Sequence, residues 1–309
     1  MNLTSKKVIK NLLKKYGARP SKGLGQNFLI DKTVTKKIIK EARLQSKDIV
    51  LEIGPGIGTL TQEIAKKAKL VIAVEKDLKM CDILKELLEC WTPPTHHPVK
   101  NVEILKGDIL KFNPLTYNLK PKSYKVVANL PFYLTAPAIR KFLEMKFPPK
   151  LMILVVQKEV AQRICAKPPD MNLLSVSVQF YAEAKIISYV SKKSFWPKPK
   201  VDGAILRIVP LIKIDKKLNN ANLFFKIVKA GFSQPRKQLA NNLSKKLELV
   251  NEVCLPRSLP SSSPFANARV DKEKIKCWLL KNNIQPTQRA ETLFIKDWVN
   301  LTKSYYIPE

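Results

Sequence analysis

Histidine is almost absent from this chain, which has only two among 309 residues. Both of them, His96 and His97, lie between prolines, in a composition typical of an exposed loop. A histidine that acts as a general base or a metal ligand needs partners that fix its ring. We therefore expect neither histidine-based catalysis nor a metal centre.

Cysteine is also scarce, and its spacing is uninformative for metal binding. The five cysteines are odd in number and widely separated, and none belongs to a C-x-x-C pair. This pattern fits a reducing, cytoplasmic compartment and predicts no zinc site. The residues are Cys81, Cys90, Cys165, Cys254 and Cys277.

Long apolar stretches are missing as well. The longest clean run, residues 151–156, is far shorter than the ~20 residues that a membrane-spanning helix needs. The N-terminal region is basic but has no continuous apolar segment of the kind found in a secretory signal. We therefore predict a soluble chain with no membrane partner.

Acidic residues are few, and the resulting charge points to a partner. The sequence has 25 Asp and Glu against 56 Lys and Arg, a formal net charge of +31. Folding does not require an excess of this size, so it indicates a polyanionic partner. Nucleic acid is favoured over an anionic membrane surface.

The order of apolar segments predicts two domains. Short β-branched runs alternate with amphipathic helical patterns from residue 48 to about residue 210, as in an α/β domain with a mostly parallel sheet that ends in a hairpin. Beyond Pro210 the pattern is helical. We predict domains at 1–213 and 214–309, the second small and helical. The expected strands are 49–53, 70–75, 102–105, 125–128, 151–156, 185–190 and 204–209.

A glycine-rich loop follows the first of these strands. Gly54, Gly56 and Gly58 open onto a helix expected to begin near Thr59. Glycines let backbone approach a ligand closely. The third glycine comes one residue earlier than in dinucleotide-binding loops, which hold a pyrophosphate. The spacing therefore suits a ligand without a pyrophosphate.

Polar residues follow the next three strands. Glu75 ends the second, Gly107 and Asp108 follow the third, and Asn129 follows the fourth. The carboxyl ends of parallel strands form the edge at which open α/β sheets bind ligands. A nucleoside cofactor without phosphates suggests S-adenosyl-L-methionine. In this interpretation Glu75 binds the ribose and Asp108 accepts from the adenine amino group, while Gly54 and Gly56 border the methionine portion.

The turn after the fourth strand reads Asn129, Leu130, Pro131, Phe132, and it suits methyl transfer to an exocyclic amine. The lone pair of such an amine is conjugated into its ring and is a poor nucleophile. Acceptors around its two hydrogens, the Asn129 amide oxygen and a carbonyl near Leu130 or Pro131, favour a pyramidal nitrogen. Phe132 offers a face on which a withdrawn base can stack.

The chain resembles the KsgA-type ribosomal RNA adenine N6,N6-dimethyltransferases from about residue 22 to residue 298. The motifs that support this resemblance most specifically are the N-L-P-aromatic turn and the F-x-P-x-P-K-V-D stretch. The matching segments are GQNFL (25–29), EIGPGIG (52–58), VE (74–75), GD (107–108), NLPF (129–132), FWPKPKVD (195–202), FSQPRK (232–237) and RAE (289–291). The family often has serine where Gly203 stands, and the insert at 91–99 has no interpretation.

The resemblance implies a Rossmann-like class I methyltransferase sheet with a small C-terminal helical domain. It adds Asn27 and Leu29 to the cofactor site and places Phe195 opposite Phe132 around the base. It implies four methyl transfers onto two adjacent adenines in the hairpin near the 3′ end of small-subunit rRNA, performed by a monomer on an immature small subunit. The basic residues expected to bind RNA phosphates are Arg236, Lys237, Lys245 and Lys246.

Two alternatives remain open at this point. One is a large-subunit rRNA adenine methylase of the macrolide-resistance type, which shares the cofactor loop and a similar turn. Leu130 and the segments at 195–202 and 289–291 favour the small-subunit enzyme. The other is a non-catalytic RNA-binding assembly or transcription factor on the same fold, although Glu75, Asp108 and Asn129 argue for retained activity.

Overall fold

The protein is described here by a computed structural model covering residues 2–90, 100–211, 221–247 and 264–305. The insert at 91–99 and most of the Ser- and Pro-rich stretch at 256–264 lie outside these residues.

The chain divides into two compact units. Residues 1–162 and 182–210 form the first, and residues 163–181 and 211–309 form the second. The second unit thus takes in residues 163–181, which the predicted division at 213 assigned to the first domain. The functions assigned to the two predicted domains stay predictions.

A seven-stranded sheet forms the centre of the first unit. Its order is β4-β3-β2-β5-β6-β9-β7, with β2 to β6 parallel and β9 antiparallel to both neighbours. This confirms the predicted α/β class. A separate two-stranded pair joins β1 and β8. The strands are β1 (Phe28–Leu29), β2 (Ile49–Ile53), β3 (Leu70–Glu75), β4 (Val102–Lys106), β5 (Tyr124–Asn129), β6 (Leu151–Gln157), β7 (Ala182–Val190), β8 (Phe195–Trp196) and β9 (Gly203–Pro210).

Some helices begin at a clear start signal in the sequence. Asp31 caps α2, because its Oδ1 accepts from the backbone N–H groups of Thr33 and Val34 at 2.9 and 3.3 Å. The helices are α1 (Lys6–Lys15), α2 (Lys32–Ala42), α3 (Thr59–Ala65), α4 (Leu78–Cys90), α5 (Thr135–Glu144), α6 (Lys158–Ile164), α7 (Leu173–Gln179), α8 (Ala221–Gly231), α9 (Leu239–Ser244), α10 (Pro264–Lys281) and α11 (Ile295–Tyr305).

The second unit packs its helices around aromatic side chains. Trp298 on α11 and Phe224 on α8 are fully buried in one apolar cluster. Helix α10 begins at Pro264, a first helical position at which proline's missing N–H leaves no hydrogen bond unmade. No helix among the described residues is long and apolar enough to cross a membrane.

Candidate active site

One pocket at the carboxyl edge of the sheet brings the predicted cofactor and catalytic residues together. It is lined by residues from the N-terminal loop, from the ends of β2 to β6, and from the segment around β8. All eleven predicted residues are among them: Asn27, Leu29, Gly54, Gly56, Glu75, Asp108, Asn129, Leu130, Pro131, Phe132 and Phe195.

The glycine loop needs its glycines for conformation and for packing. Gly54 and Gly56 have φ angles of 63° and 56°, in the left-handed region that side chains disfavour. A Cβ atom on Gly56 would also lie 3.2 Å from Cε1 of Phe28. The loop therefore turns sharply under the pocket and leaves backbone exposed to it.

Glu75 anchors this loop to β3. Its Oε2 accepts from the Gly56 N–H at 2.9 Å, and its Oε1 accepts from the N–H groups of Lys76 and Asp77 at 2.8 and 2.9 Å. Burial raises the pKa of Glu75, while these N–H groups oppose that rise. Oε2 accepts only one of these bonds and keeps a second lone pair, so Glu75 can still accept from a ligand hydroxyl.

Glu52 is a pocket residue that the sequence reading did not assign. It is 1% exposed, and its Oε2 has no hydrogen-bond partner among the described residues. Burial raises the pKa of Glu52 to about 8. The available signal was an acidic residue inside the otherwise apolar run IVLEI.

Asp108 is held by two donors. Its Oδ1 accepts from the Leu110 N–H at 2.9 Å, and its Oδ2 lies 3.0 Å from Nζ of Lys76. These contacts lower the pKa of Asp108, with the Leu110 bond contributing most. The carboxylate therefore faces the pocket as an ionised acceptor. Lys76 was not expected from the sequence.

Asn129 presents its amide oxygen as a free acceptor. Its Nδ2 donates to the backbone carbonyl of Asn27 at 2.9 Å. A carbonyl can only accept, so the amide nitrogen must face Asn27 and the oxygen must face away from it. The turn thus keeps an acceptor available at the end of β5.

Only one of the two carbonyls considered beside Asn129 is available. The Pro131 carbonyl accepts from the Leu134 N–H at 3.0 Å and from the Thr135 hydroxyl at 3.4 Å. The Leu130 carbonyl accepts no hydrogen bond from the described residues. Leu130 therefore supplies the second acceptor better than Pro131.

Aromatic walls flank the turn. Phe132 is 38% exposed, whereas Phe195 is buried and pairs with Leu29 in the β1–β8 ladder. A Cβ atom on Gly203 would lie 3.2 Å from the Val156 carbonyl and 3.7 Å from the Phe195 ring. The glycine at 203 thus leaves space for both the Phe195 ring and the β6 backbone.

The N-terminal loop closes one side of the pocket. A Cβ atom on Gly25 would lie 3.1 Å from Cβ of Pro131, so the loop meets the catalytic turn directly. Gln26 donates to Oδ2 of Asp77 at 2.8 Å and accepts from the Ser21 N–H at 2.8 Å. These contacts hold Asn27 beside Asn129.

Comparison with known proteins identifies the family. The model of the ribosomal RNA adenine dimethylase family matches residues 17–255, which is more than half of the chain. The chain belongs to the ribosomal RNA adenine dimethylase family. Proteins named ribosomal RNA small subunit methyltransferase A are similar to it: the one from Dehalococcoides mccartyi (strain CBDB1) is 39% identical over 96% of this chain and 92% of that protein. The one from Anoxybacillus flavithermus is 36% identical over 96% and 94%.

Solved structures of similar proteins agree with the class I methyltransferase fold of this dimethylase-family chain. A dimethyladenosine transferase from Plasmodium falciparum superposes with a TM-score of 0.69 at 27% identity, over 89% of this chain and 95% of that one. The 23S rRNA methyltransferase ErmE superposes with a TM-score of 0.65 at 22% identity, over 89% and 98%. The second likeness shows the fold alone.

The basic residues predicted to bind RNA lie in the second unit and do not line this pocket. All four are exposed: Arg236, Lys237, Lys245 and Lys246. The loop that carries the first two is fixed by Asn242, whose Nδ2 donates to the carbonyls of Gly231 and Gln234 at 2.6 and 3.0 Å. Their role in this dimethylase-family chain stays a prediction.

Proposed function

We propose that this chain transfers methyl groups from S-adenosyl-L-methionine to N6 of two adjacent adenines in the hairpin near the 3′ end of small-subunit rRNA, giving N6,N6-dimethyladenosines. Family membership supports the reaction class. The relatives at 36–39% identity, named for the small ribosomal subunit, support the substrate. The proposal extends to an immature small subunit as the form recognised and to a monomer acting in the cytoplasm.

The pocket residues suit this cofactor. The bound cofactor would supply an electrophilic methyl group on a positively charged sulfur. Glu75 and Asp108 line the pocket with carboxylates that complement a cation. The unpartnered Oε2 of Glu52 offers a buried acceptor for a ligand donor. Glu75 would hold the ribose, Asp108 the adenine amino group, and Asn27 and Leu29 would complete the wall.

The orientation of the Asn129 amide carries the proposal. With Nδ2 committed to Asn27, Oδ1 is free to accept one hydrogen of a target amine, and the Leu130 carbonyl is free to accept the other. Two acceptors so placed draw the nitrogen toward a pyramidal geometry and free its lone pair. The amine nitrogen would take the methyl group as the methyl–sulfur bond of the cofactor breaks, leaving a neutral thioether, and would then lose its proton to water.

The aromatic residues would hold the target base. An adenine must leave its stack before its amino group can enter a pocket at a sheet edge. Phe132 is half-exposed and Phe195 is buried, and both line the pocket. Stacking on such rings is worth about 1–3 kcal/mol per base and can offset part of the cost of unstacking.

Transfer of labelled methyl groups to ribosomal subunits tests the substrate. Under-methylated small subunits and large subunits are incubated separately with the protein and labelled cofactor. We expect label in small-subunit RNA only. Label confined to large-subunit RNA would assign the macrolide-resistance type of activity. Binding of RNA without transfer to either would favour a non-catalytic assembly or transcription factor.

A further inference from the structure

The N-terminal helix α1 carries a basic face without acidic partners. Seven Lys and Arg residues precede Gly23, and the first acidic residue is Asp31. Among the described residues, Lys15 is the only lysine of α1 in an ion pair, with Glu86. Lys7, Lys10 and Lys14 are exposed, and at 100° per residue they fall within an arc of roughly 60° on one side of the helix.

The other side of α1 is fixed to the first unit. Ile9, Leu12 and Leu13 are buried in a cluster that also contains Phe28 and has Trp196 packed against it. The lysine face is therefore held in a fixed orientation instead of lying on a mobile tail. Like charges at i and i+4, such as Lys10 and Lys14, repel one another, and no acidic side chain among the described residues pairs with this face to offset the repulsion.

The short ladder of β1 and β8 connects this helix to the base pocket. Phe195 pairs with Leu29 and Trp196 pairs with Phe28. Phe195 and Leu29 belong to one apolar cluster, whereas Phe28 and Trp196 pack in the cluster beneath α1. Strand β8 thus contributes Phe195 to the pocket wall and Trp196 to the apolar packing beneath α1.

Trp196 connects Lys10 of the lysine face to a residue that lines the pocket. Nζ of Lys10 lies 6.0 Å from the centre of the Trp196 ring, and that ring stacks on Phe28 with centres 6.4 Å apart. Phe28 itself lines the pocket. A chain whose base enters the pocket would therefore have its neighbouring phosphates within the field of these lysines.

We propose that Lys7, Lys10 and Lys14 form a phosphate-binding surface that holds the RNA backbone next to the target adenine. The inference rests on the proposed function for the identity of the RNA. The ligand chemistry is a run of phosphodiesters, because exposed ammonium groups in a row recognise charge and spacing but no base edge. The surface holds the substrate, and it takes no part in the methyl transfer itself.

Salt-dependent binding of an RNA hairpin with two adjacent unmodified adenines tests this surface. Lys7, Lys10 and Lys14 are replaced together by Gln, which preserves helix propensity. We expect the slope of log K against log salt to become shallower by about two to three, with affinity at ~0.1 M salt lower by at least ~10-fold. The triple Arg variant should keep both values, because it keeps the charge.

Three lysines at the opposite edge of the sheet give a matched control. Lys120, Lys146 and Lys150 are exposed, form no ion pair among the described residues, and precede β5 or β6 at the strand ends remote from the pocket. Their replacement by Gln removes the same charge and should leave the slope unchanged. Equal losses in both triple variants, or no loss in the α1 variant, would overturn the proposal.

Binding is read without turnover, so this proposal and the proposed function fail separately. Hairpin binding that depends on α1, without methyl transfer by the wild-type protein, would keep the surface and reject the enzyme. If the wild-type protein transfers methyl groups and the salt slope of the α1 variant is unchanged, the proposed enzyme stands and the phosphate-binding surface is rejected. If circular dichroism shows that the triple variant loses helix, Lys7→Gln and Lys14→Gln are measured singly, each with an expected slope change of about one.

Discussion

At the scale of single residues, Asn129 is central because its amide nitrogen and its amide oxygen have different partners. The nitrogen ties the catalytic turn to the N-terminal loop through Asn27, and the oxygen stays available at the pocket. Sequence reasoning predicted an acceptor here. It could not choose between the carbonyls of Leu130 and Pro131, because that choice depends on the hydrogen bonds of the following turn.

Replacing Asn129 by Ala should lower kcat by at least about 10²-fold, as losing one preorganised polar group at a reacting centre does. RNA affinity should stay within a few fold, since the amide does not contact the backbone of the substrate in this account. Steady-state methyl transfer and a binding titration measure the two quantities.

The control for Asn129 is another asparagine with a purely structural role. Nδ2 of Asn101 donates to the carbonyls of Ala65 and Ala68 at 2.8 and 2.9 Å, just before β4 begins. Asn101→Ala should reduce thermal stability and preserve kcat. Equal losses of kcat in the two variants would show that stability, not chemistry, explains the effect.

Glu52 predicts a specific dependence of stability on pH. Its pKa is raised to about 8, so between about pH 5 and pH 8 the folded state keeps a proton that the unfolded state has lost. The free energy of unfolding of the wild type should therefore fall by about 1.4 kcal/mol per pH unit relative to Glu52→Gln across this window. Urea denaturation without added ligand, at several pH values, measures the difference.

Glu75 is present in both proteins, and its negative charge adds to burial in raising the pKa of Glu52. The comparison therefore reports Glu52 together with its coupling to Glu75. Parallel stability curves for wild type and Glu52→Gln would mean that Glu52 ionises normally, and the buried-acceptor account of this residue would then fail.

At the scale of elements, Lys125 joins the start of β5 to the end of α2. Its Nζ donates to the carbonyls of Ala42 and Arg43 at 3.0 and 2.7 Å and lies 2.7 Å from Oδ2 of Asp48. The lysine is 7% exposed and Asp48 is 13% exposed. The terminal carbonyls of α2 are thus satisfied by a charge from the sheet.

Lys125→Met should destabilise the first unit by about 3–5 kcal/mol, because it removes the buried cation partner of Asp48 and the Nζ donor to the carbonyls of Ala42 and Arg43. The double variant with Asp48→Asn should cost less than the sum of the two single changes. Lys66→Met, which breaks the exposed pair with Glu63, should cost no more than about 1 kcal/mol. Chemical denaturation of the four variants tests this ranking, and an additive double variant would contradict it.

Gly231 marks where α8 meets α11. A Cβ atom at this position would lie 2.4 Å from Cη2 of Trp298. Gly231→Ala should therefore destabilise the second unit by about 1–3 kcal/mol or more. Gly23→Ala, where the nearest atom is 3.9 Å away, should be nearly neutral. Tryptophan fluorescence during denaturation follows both, and equal stability of the two variants would refute the close contact.

The sequence predicted local elements well and long-range pairings poorly. Strands such as β3 and β6 are continuous β-branched or apolar runs, so their existence is visible in any short window. The β1–β8 ladder has two residues on each side and joins positions more than 160 residues apart. The placement of residues 163–181 in the second unit likewise depends on tertiary packing, which no local pattern reports.

At the scale of the whole molecule, the positive charge and the pocket at the sheet edge fit one task. A net charge of +31 attracts RNA of any sequence, whereas in the proposed function the residues at the sheet edge would select the base and the atom to be methylated. RNA affinity and methyl transfer should therefore depend on different residues. Lysine variants should change mainly the affinity, and variants of the pocket residues should change mainly the methyl transfer.

The amount and identity of the methylated product test the central claim most directly. Small-subunit RNA from the completed reaction is digested to nucleosides and quantified by mass spectrometry, with an incubation without protein as the blank. We predict two N6,N6-dimethyladenosines per RNA, and thus four methyl groups, on neighbouring positions. Methyl groups on another atom or another base, or none above the blank, would contradict the account.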